Sequence, residues 1–84
     1  MLICLAIANN SLGWVAEQVD RYGGELCAET SKAIVAAYPS ARVEVCISHI
    51  YDSRVSVYDE ELRLSVLRIS ESVWESFTPA GGWR

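Results

Sequence analysis

Three cysteines and one histidine are the residues of this 84-residue chain that could carry covalent or metal chemistry. Cys46 and His49 are close enough in sequence to suggest a thiolate activated by a general base. Residues three apart in a strand project from opposite faces, however, so this pair could not share a proton. Zinc would need the histidine together with the thiols, and Cys4, Cys27 and Cys46 lack the spacing of a zinc motif. We expect no catalytic residue, no metal and no cofactor.

Acidic and glycine pairs give no stronger sign of catalysis. The pair Glu60-Glu61 and the pair of Glu71 with Glu75 fit the solvated face of a helix. The glycine pairs at 23–24 and 81–82 have neither the spacing nor the strand-then-helix context of a phosphate-binding loop. We therefore expect that the protein is not an enzyme, and a small enzyme or ligand binder is the least favoured alternative.

Composition limits the class of protein further. A chain of 84 residues with 51% hydrophobic residues predicts a single domain spanning residues 1–84. The net charge of -4 argues against direct binding to nucleic acid, and no apolar run is long enough to cross a membrane. The run 2–8 lacks the basic residues that precede the apolar core of a signal peptide. An odd number of widely spaced cysteines is typical of reduced thiols, so we expect a cytoplasmic protein.

Two elements follow from the first half of the chain. Residues 2–8 form a short run of branched apolar residues, which predicts a buried strand. One helical phase then continues over residues 11–38, where Pro39 ends the helix. The phase is not reset at Gly23-Gly24, which favours one long helix, kinked there if at all. The alternative is two helices separated by a turn at this glycine pair.

The second half predicts two strands and a helix. Apolar and polar residues alternate over 42–50 and again over 54–58, which predicts two strands. Tyr51-Asp52-Ser53 would form the loop of a hairpin between them, with Ser48 opposite Ser56. Asp59 would cap a final helix over about residues 60–77. The order is β-α-β-β-α, an α+β fold with a three-stranded mixed sheet. Strands one and two should be parallel if they are neighbours, and one or both faces of the sheet could be covered by helices.

Several large apolar residues fall outside the predicted core. On the last helix, Leu64, Leu67 and Trp74 lie away from the stripe that would face the sheet, and Trp14 lies on the polar face of the first helix. These residues form, together with Trp83 in the C-terminal tail, a candidate partner-binding group, since an exposed group of tryptophan and leucine residues is typical of a protein interface. The alternative is that Trp83, in the C-terminal tail, folds back on Leu64, Leu67 or Trp74 as an intramolecular lid.

The first helix also carries a second candidate surface. Four acidic residues decorate its polar face, where Arg21 and Lys32 dilute their charge. Such a face is usually no more than solvated, but it could steer the protein towards a basic partner. The acidic residues in question are Glu17, Asp20, Glu25 and Glu29.

The helix ending in residues 32–38 and the hairpin 43–58 resemble, in plan, the small phage-encoded inhibitors of bacterial defence known as anti-CRISPR proteins. The resemblance covers architecture over most of the chain and includes no diagnostic motif, so no functional residue is carried over. It implies stoichiometric binding to a CRISPR effector, often where that effector holds nucleic acid with basic residues. We therefore expect a protein-binding module that acts by occlusion, as a monomer or homodimer. The alternative is a homodimeric or accessory subunit in which Leu64, Leu67 and Trp74 pair with their own copies.

Overall fold

The computed structural model describes residues 1–83 as two layers, a sheet and a pair of helices. It confirms the predicted α+β class, with a three-stranded mixed sheet, a long helix after the first strand and a C-terminal helix. Within the described residues the elements are β1 (Leu2–Ala8), α1 (Asn9–Leu12), α2 (Ala16–Ala37), β2 (Arg42–Ser48), β3 (Arg54–Val55) and α3 (Glu60–Ser76).

The central strand of the sheet is β1, and the strand order is β2-β1-β3. β2 runs parallel to β1, as predicted for neighbours, with Leu5 opposite Val45. β3 runs antiparallel to β1, with Leu5 opposite Val55 and Ala6 opposite Arg54. β1 is apolar on both sides and is the most buried strand, which also agrees with expectation.

The predicted pairing of the second and third strands in a hairpin is wrong, because β1 lies between them. The segment between β2 and β3 therefore passes the end of β1 instead of closing a tight turn. Ser53 marks this passage, since its Oγ accepts a hydrogen bond of 2.9 Å from the backbone N–H of Ala8. Placing β1 at the centre satisfies backbone groups on both of its edges, which a hairpin with β1 at the side would not do.

The first helix begins differently from the prediction. A short α1 ends at Gly13, whose φ of 67° is left-handed and suits glycine, and α2 starts only at Ala16. The N–H of Val15 donates to Oε1 of Gln18 at 3.0 Å, which satisfies one free donor of the new N-terminus. α2 then continues without interruption through Gly23-Gly24, so the alternative of a turn at that pair is excluded.

One face of the sheet is covered by both long helices. α2 packs over β2, α3 contacts β3, and the two helices contact each other. Between the layers lies a core whose largest fully buried side chains include Ile3, Leu5, Leu26, Ile34 and Val66. The apolar stripe of α3 faces the core. Val66 is fully buried, and the other members are half-buried against the core, namely Leu62, Ile69, Val73 and Phe77 at the C-terminal end.

Candidate protein-interaction surfaces

Trp14 is buried, and the expectation that it is exposed is wrong. Only 8% of the residue is accessible, and its ring lies 5.3 Å from that of Trp74 in an edge-to-face arrangement. Its other ring neighbours are Tyr22, Phe77 and Trp83. The break at Gly13 explains the error, because it takes Trp14 out of the helix for which the helical wheel placed it on the polar face.

The C-terminal tail folds back on the helices, but at a different place from the predicted one. The ring of Trp83 lies 5.0 Å from that of Tyr22 and 5.8 Å from that of Phe77. The N–H of Ala80 donates to a carboxylate oxygen of Glu25 at 2.8 Å, which ties the tail to α2. Trp83 remains 53% exposed, so the aromatic cluster of Trp14, Tyr22, Trp74, Phe77 and Trp83 reaches the surface through this ring.

The leucine and tryptophan residues of α3 do not share one exposed patch. Leu64 is 43% exposed, whereas Leu67 and Trp74 are half-buried and pack against the core. A dimer through these three residues would therefore have one well-exposed apolar side chain on each copy. Their role in binding a partner stays a prediction.

The four acidic residues predicted on the first helix divide into two groups. Glu17, which lies in the first turn of α2, makes an ion pair of 3.0 Å with Arg21, and Asp20 is exposed nearby. Glu25 and Glu29 lie further along α2, beside the contact with α3. The second pair differs from the first because it borders a concave apolar surface.

This concave surface is a groove between α2 and α3, with a volume of about 600 Å³. Its apolar lining comes from Ala33 and Ala36 on α2 and from Val73 and Phe77 on α3 and its C-terminal end, and the tail closes one end at Thr78 and Ala80. Two carboxylates and one ammonium group lie along the α2 side, on Glu25, Glu29 and Lys32. We call this surface the helical groove.

The sequence holds only a partial signal for the helical groove. Small residues at positions 33 and 36 lie three apart on α2, a spacing that places them next to each other on a helix. The groove also requires α3 to pack beside α2 at this height. No pattern within either helix predicts that placement.

A second candidate surface is the side of the sheet that faces away from the helices. Cys4 and Ala6 of β1 lie at its centre, with Glu44 and Cys46 of β2 on one side and Arg54 and Ser56 on the other. Together they line a shallow concavity of about 520 Å³. Within residues 1–83 no helix packs on this side. We call it the open sheet face.

On the open sheet face, residues of the three strands lie in rows across the sheet and are joined by hydrogen bonds. Ser56 Oγ accepts a bond of 3.0 Å from the N–H of Cys4, and the N–H of Ser56 donates to the carbonyl oxygen of Cys4 at the same distance. The Cys4 thiol lies 3.7 Å from Oε2 of Glu44. One row across the sheet is therefore Glu44, Cys4 and Ser56. The next row is Cys46, Ala6 and Arg54.

The three cysteines are free thiols with different surroundings. Cys46 is exposed and Cys4 is half-buried, both on the open sheet face, while Cys27 is half-buried on α2. Burial raises the pKa of the Cys27 thiol, and the nearby Cys46 raises it further. Among residues 1–83, no group of three histidine, cysteine or acidic side chains has the geometry to hold a metal ion. His49 is exposed and borders a small cleft with Asp20.

Comparison with known proteins gives no family. No protein-family model, curated protein or solved structure matches this chain. In the part of the chain that the structure describes, no helix combines the length and the apolar character needed to cross a membrane. The function has to be inferred from the surfaces themselves.

Proposed function

We propose that the protein is a non-enzymatic binding module that acts by stoichiometric occlusion, and that the helical groove receives a basic amphipathic segment of a protein partner. The observation that supports this proposal is the combination of an apolar lining with two glutamates on one rim. Each part of that combination favours a different property of the partner.

The apolar lining favours a partner with a hydrophobic stripe. Ala33 and Ala36 are small, so an incoming helix or extended segment can approach the backbone of α2 closely, while Val73 and Phe77 supply apolar area on the other side. Burial of apolar surface contributes about 25 cal/mol per Å², and a helix laid in a groove buries it through residues three and four apart.

The rim favours basic residues next to that stripe. Glu25 and Glu29 lie one helical turn apart on α2, and the whole chain carries a net charge of -4. Opposite charge on the partner would speed association and oppose wrong partners. Glu29 is exposed and Glu25 is already hydrogen-bonded to the tail, so Glu29 is the residue through which charge should matter most.

The first partner to test is a CRISPR effector, because such effectors hold nucleic acid with basic surfaces, which the glutamates of the rim and the net charge of -4 would complement. Occlusion requires only that the module cover those residues at a ratio of one to one. We expect target-DNA binding by a susceptible effector to fall as the protein approaches equimolar amounts, measured by gel shift. If no effector in a panel responds while the peptide test below succeeds, the effector assignment is wrong and the binding module stands.

The groove itself can be tested with synthetic peptides. The probe is an amphipathic helix of about 18 residues with a leucine stripe and lysines on its other face, compared with the same peptide carrying glutamates. Fluorescence anisotropy should show tighter binding of the lysine peptide, and its affinity should fall as salt is raised. Equal binding of both peptides would contradict the role given to the rim.

Two pairs of variants separate the groove from general surface effects. Ala36→Trp fills the groove and should weaken peptide binding at least tenfold, whereas Ala28→Trp, at an exposed position of the same helix outside the groove, should not. Glu29→Lys should weaken the lysine peptide, while Glu71→Lys, with the same change of charge on α3, should have little effect. If both variants of a pair weaken peptide binding equally, the peptide binds outside the helical groove.

A further inference from the structure

The open sheet face is shaped to approach another flat surface closely. The centre of the concavity is formed by the small side chains of Cys4 and Ala6, both half-buried, and longer polar side chains stand along its two sides, while Leu2, which is 49% exposed, lies one row beyond Cys4 on β1. Two sheets that pack face to face lie about 10 Å apart, with their strands nearly aligned. Small central residues allow this separation without clashes.

Three charged side chains lie on this side of the sheet. Arg42 lies one row beyond Glu44 on β2, and two opposite charges occupy diagonal corners of the concavity itself. Glu44 lies on β2 in the row of Cys4, and Arg54 lies on β3 in the row of Ala6. Both side chains belong to exposed residues, and within residues 1–83 no ion pair involves either of them. They are two strands apart, so they are too far from each other to pair well within one chain.

A two-fold axis parallel to β1 brings these charges together across two copies. The rotation places β2 of one copy over β3 of the other, so that Glu44 lies one row from Arg54 of the second copy. One row along a strand is about 6–7 Å, which an arginine side chain can span. Because a two-fold interface is self-complementary, the same pair forms twice.

We propose that the open sheet face is a homodimer interface, in which two copies stack their sheets about this axis and form two symmetric pairs between Glu44 and Arg54. The proposal does not depend on the helical groove, which lies on the other side of the molecule. A different protein with a similarly charged flat surface is the competing occupant, and the experiment below distinguishes it because that occupant would leave the purified chain monomeric.

The test is the mass in solution of the purified protein, measured by sedimentation equilibrium from about 1 µM to 1 mM, the range in which weak dimers form. The unmodified chain should show a concentration-dependent dimer. Glu44→Arg and Arg54→Glu should each raise the dissociation constant at least tenfold, because each sets like charges against each other. Matched controls are Glu71→Arg and Arg68→Glu on the exposed side of α3, which should leave it unchanged.

Mixing the two single variants gives the decisive result. The Glu44→Arg chain carries a positive charge at both positions, and the Arg54→Glu chain carries a negative charge at both. Together they again form two opposite-charge pairs, so the mixture should dimerise more tightly than either variant alone. The double variant E44R/R54E should also recover dimerisation. Circular dichroism of each variant checks that the fold is kept.

Three outcomes would overturn the proposal. The first is an unmodified chain that stays monomeric over the whole range. The second is a dimer that tolerates both single charge reversals. The third is a loss of dimerisation that neither mixing nor the double variant restores. The peptide assay of the helical groove remains interpretable in each case, because it measures binding per chain.

Discussion

The two adjacent glycines of α2 should respond differently to replacement by alanine. Gly24 is exposed, and a Cβ built there would meet nothing within 4 Å. Since alanine is about 0.5–1 kcal/mol more favourable than glycine inside a helix, Gly24→Ala should raise the free energy of unfolding by about that amount. For a domain of this size the melting temperature should rise by about 2–8 °C.

Gly23→Ala should gain the same free energy from helical preference, but crowding around the new Cβ should offset it. Gly23 is buried against β2, and a Cβ there would lie 3.1 Å from Cδ1 of Ile47 and 3.5 Å from Cγ1 of Val19. Carbon atoms in contact prefer about 3.5–4.0 Å, and overpacking costs about 1–3 kcal/mol. The end of the Ile47 side chain can shift, so we expect a cost near 1 kcal/mol, which leaves Gly23→Ala close to neutral.

A double-mutant cycle isolates the contact between Gly23 and Ile47. Ile47→Val removes Cδ1 and should cost about 0.5–1.5 kcal/mol on its own. In the Gly23→Ala background it should cost less, since it also relieves the crowding, whereas with Gly24→Ala the effects should add within about 0.5 kcal/mol. Urea denaturation followed by circular dichroism measures each free energy of unfolding.

Two results would refute this reasoning. If Gly24→Ala lowers stability, α2 is not continuous through the glycine pair. If the cycle of Gly23→Ala with Ile47→Val is additive, the helix does not approach β2 as closely as the 3.1 Å distance requires.

Three further predictions concern single residues. Trp14→Ala should lower the free energy of unfolding, measured with urea, by about 3–5 kcal/mol, because the ring is buried among four aromatic neighbours. The control Leu64→Ala should change it by less than about 0.5 kcal/mol, and similar values for both variants would contradict the aromatic cluster. Iodoacetamide should modify Cys27 more slowly than the exposed Cys46, and the rate at Cys27 should keep rising at more alkaline pH, because its raised pKa keeps the reactive thiolate scarce. Peptide mass mapping measures the two rates, and equal rates would argue against burial of Cys27. Asp59→Ala should lower the free energy of unfolding, measured with urea, by about 1 kcal/mol, because the carboxylate accepts a 3.1 Å hydrogen bond from a backbone N–H in the first turn of α3. Asp59→Asn should keep most of that stability, and equal losses in both variants would show that the cap is not responsible.

Elements with one clear periodicity could be predicted from the sequence. The buried run of β1 and the capped helix α3 lie within a few residues of their predicted bounds, because the hydrophobic period and the cap at Asp59 are local signals. The continuity of α2 through Gly23-Gly24 was also readable, since a turn there would have changed the helical phase.

Pairing between strands could not be predicted in the same way. Alternation placed the side chains of 42–48 and of Arg54 and Val55 on the correct faces, although both strands end earlier than predicted, and the short separation favoured a hairpin. The sheet instead inserts β1 between the two strands, a choice governed by non-local hydrogen bonds and by burial of β1 on both edges. Parity alone is satisfied by either arrangement, so it does not distinguish them.

The candidate surfaces show the same division between local and non-local information. A helical wheel assumes an unbroken helix, and the left-handed Gly13 violates that assumption one residue before Trp14. Glu25 and Glu29 were identified from their phase, but their position on a groove depends on where α3 packs. The open sheet face depends on all three strands and on the helices covering one side only.

The positions of the two proposed surfaces constrain the stoichiometry of binding. Stacking the open sheet faces turns both helical layers outwards, so the two helical grooves of the dimer face in opposite directions, about 30 Å apart if each layer adds about 10 Å. An 18-residue helix in one groove could not reach the other. We therefore expect one peptide per chain, with equal affinity for the dimer and for the monomeric variant R54E, measured by isothermal titration calorimetry. Two peptides joined by a linker too short to pass around the dimer should bind no more tightly than a single peptide. With a longer linker the joined peptides should bind the dimer, but not the monomeric variant, more tightly than a single peptide does. A gain with the short linker would show that the grooves lie side by side, which is incompatible with sheets stacked about an axis parallel to β1.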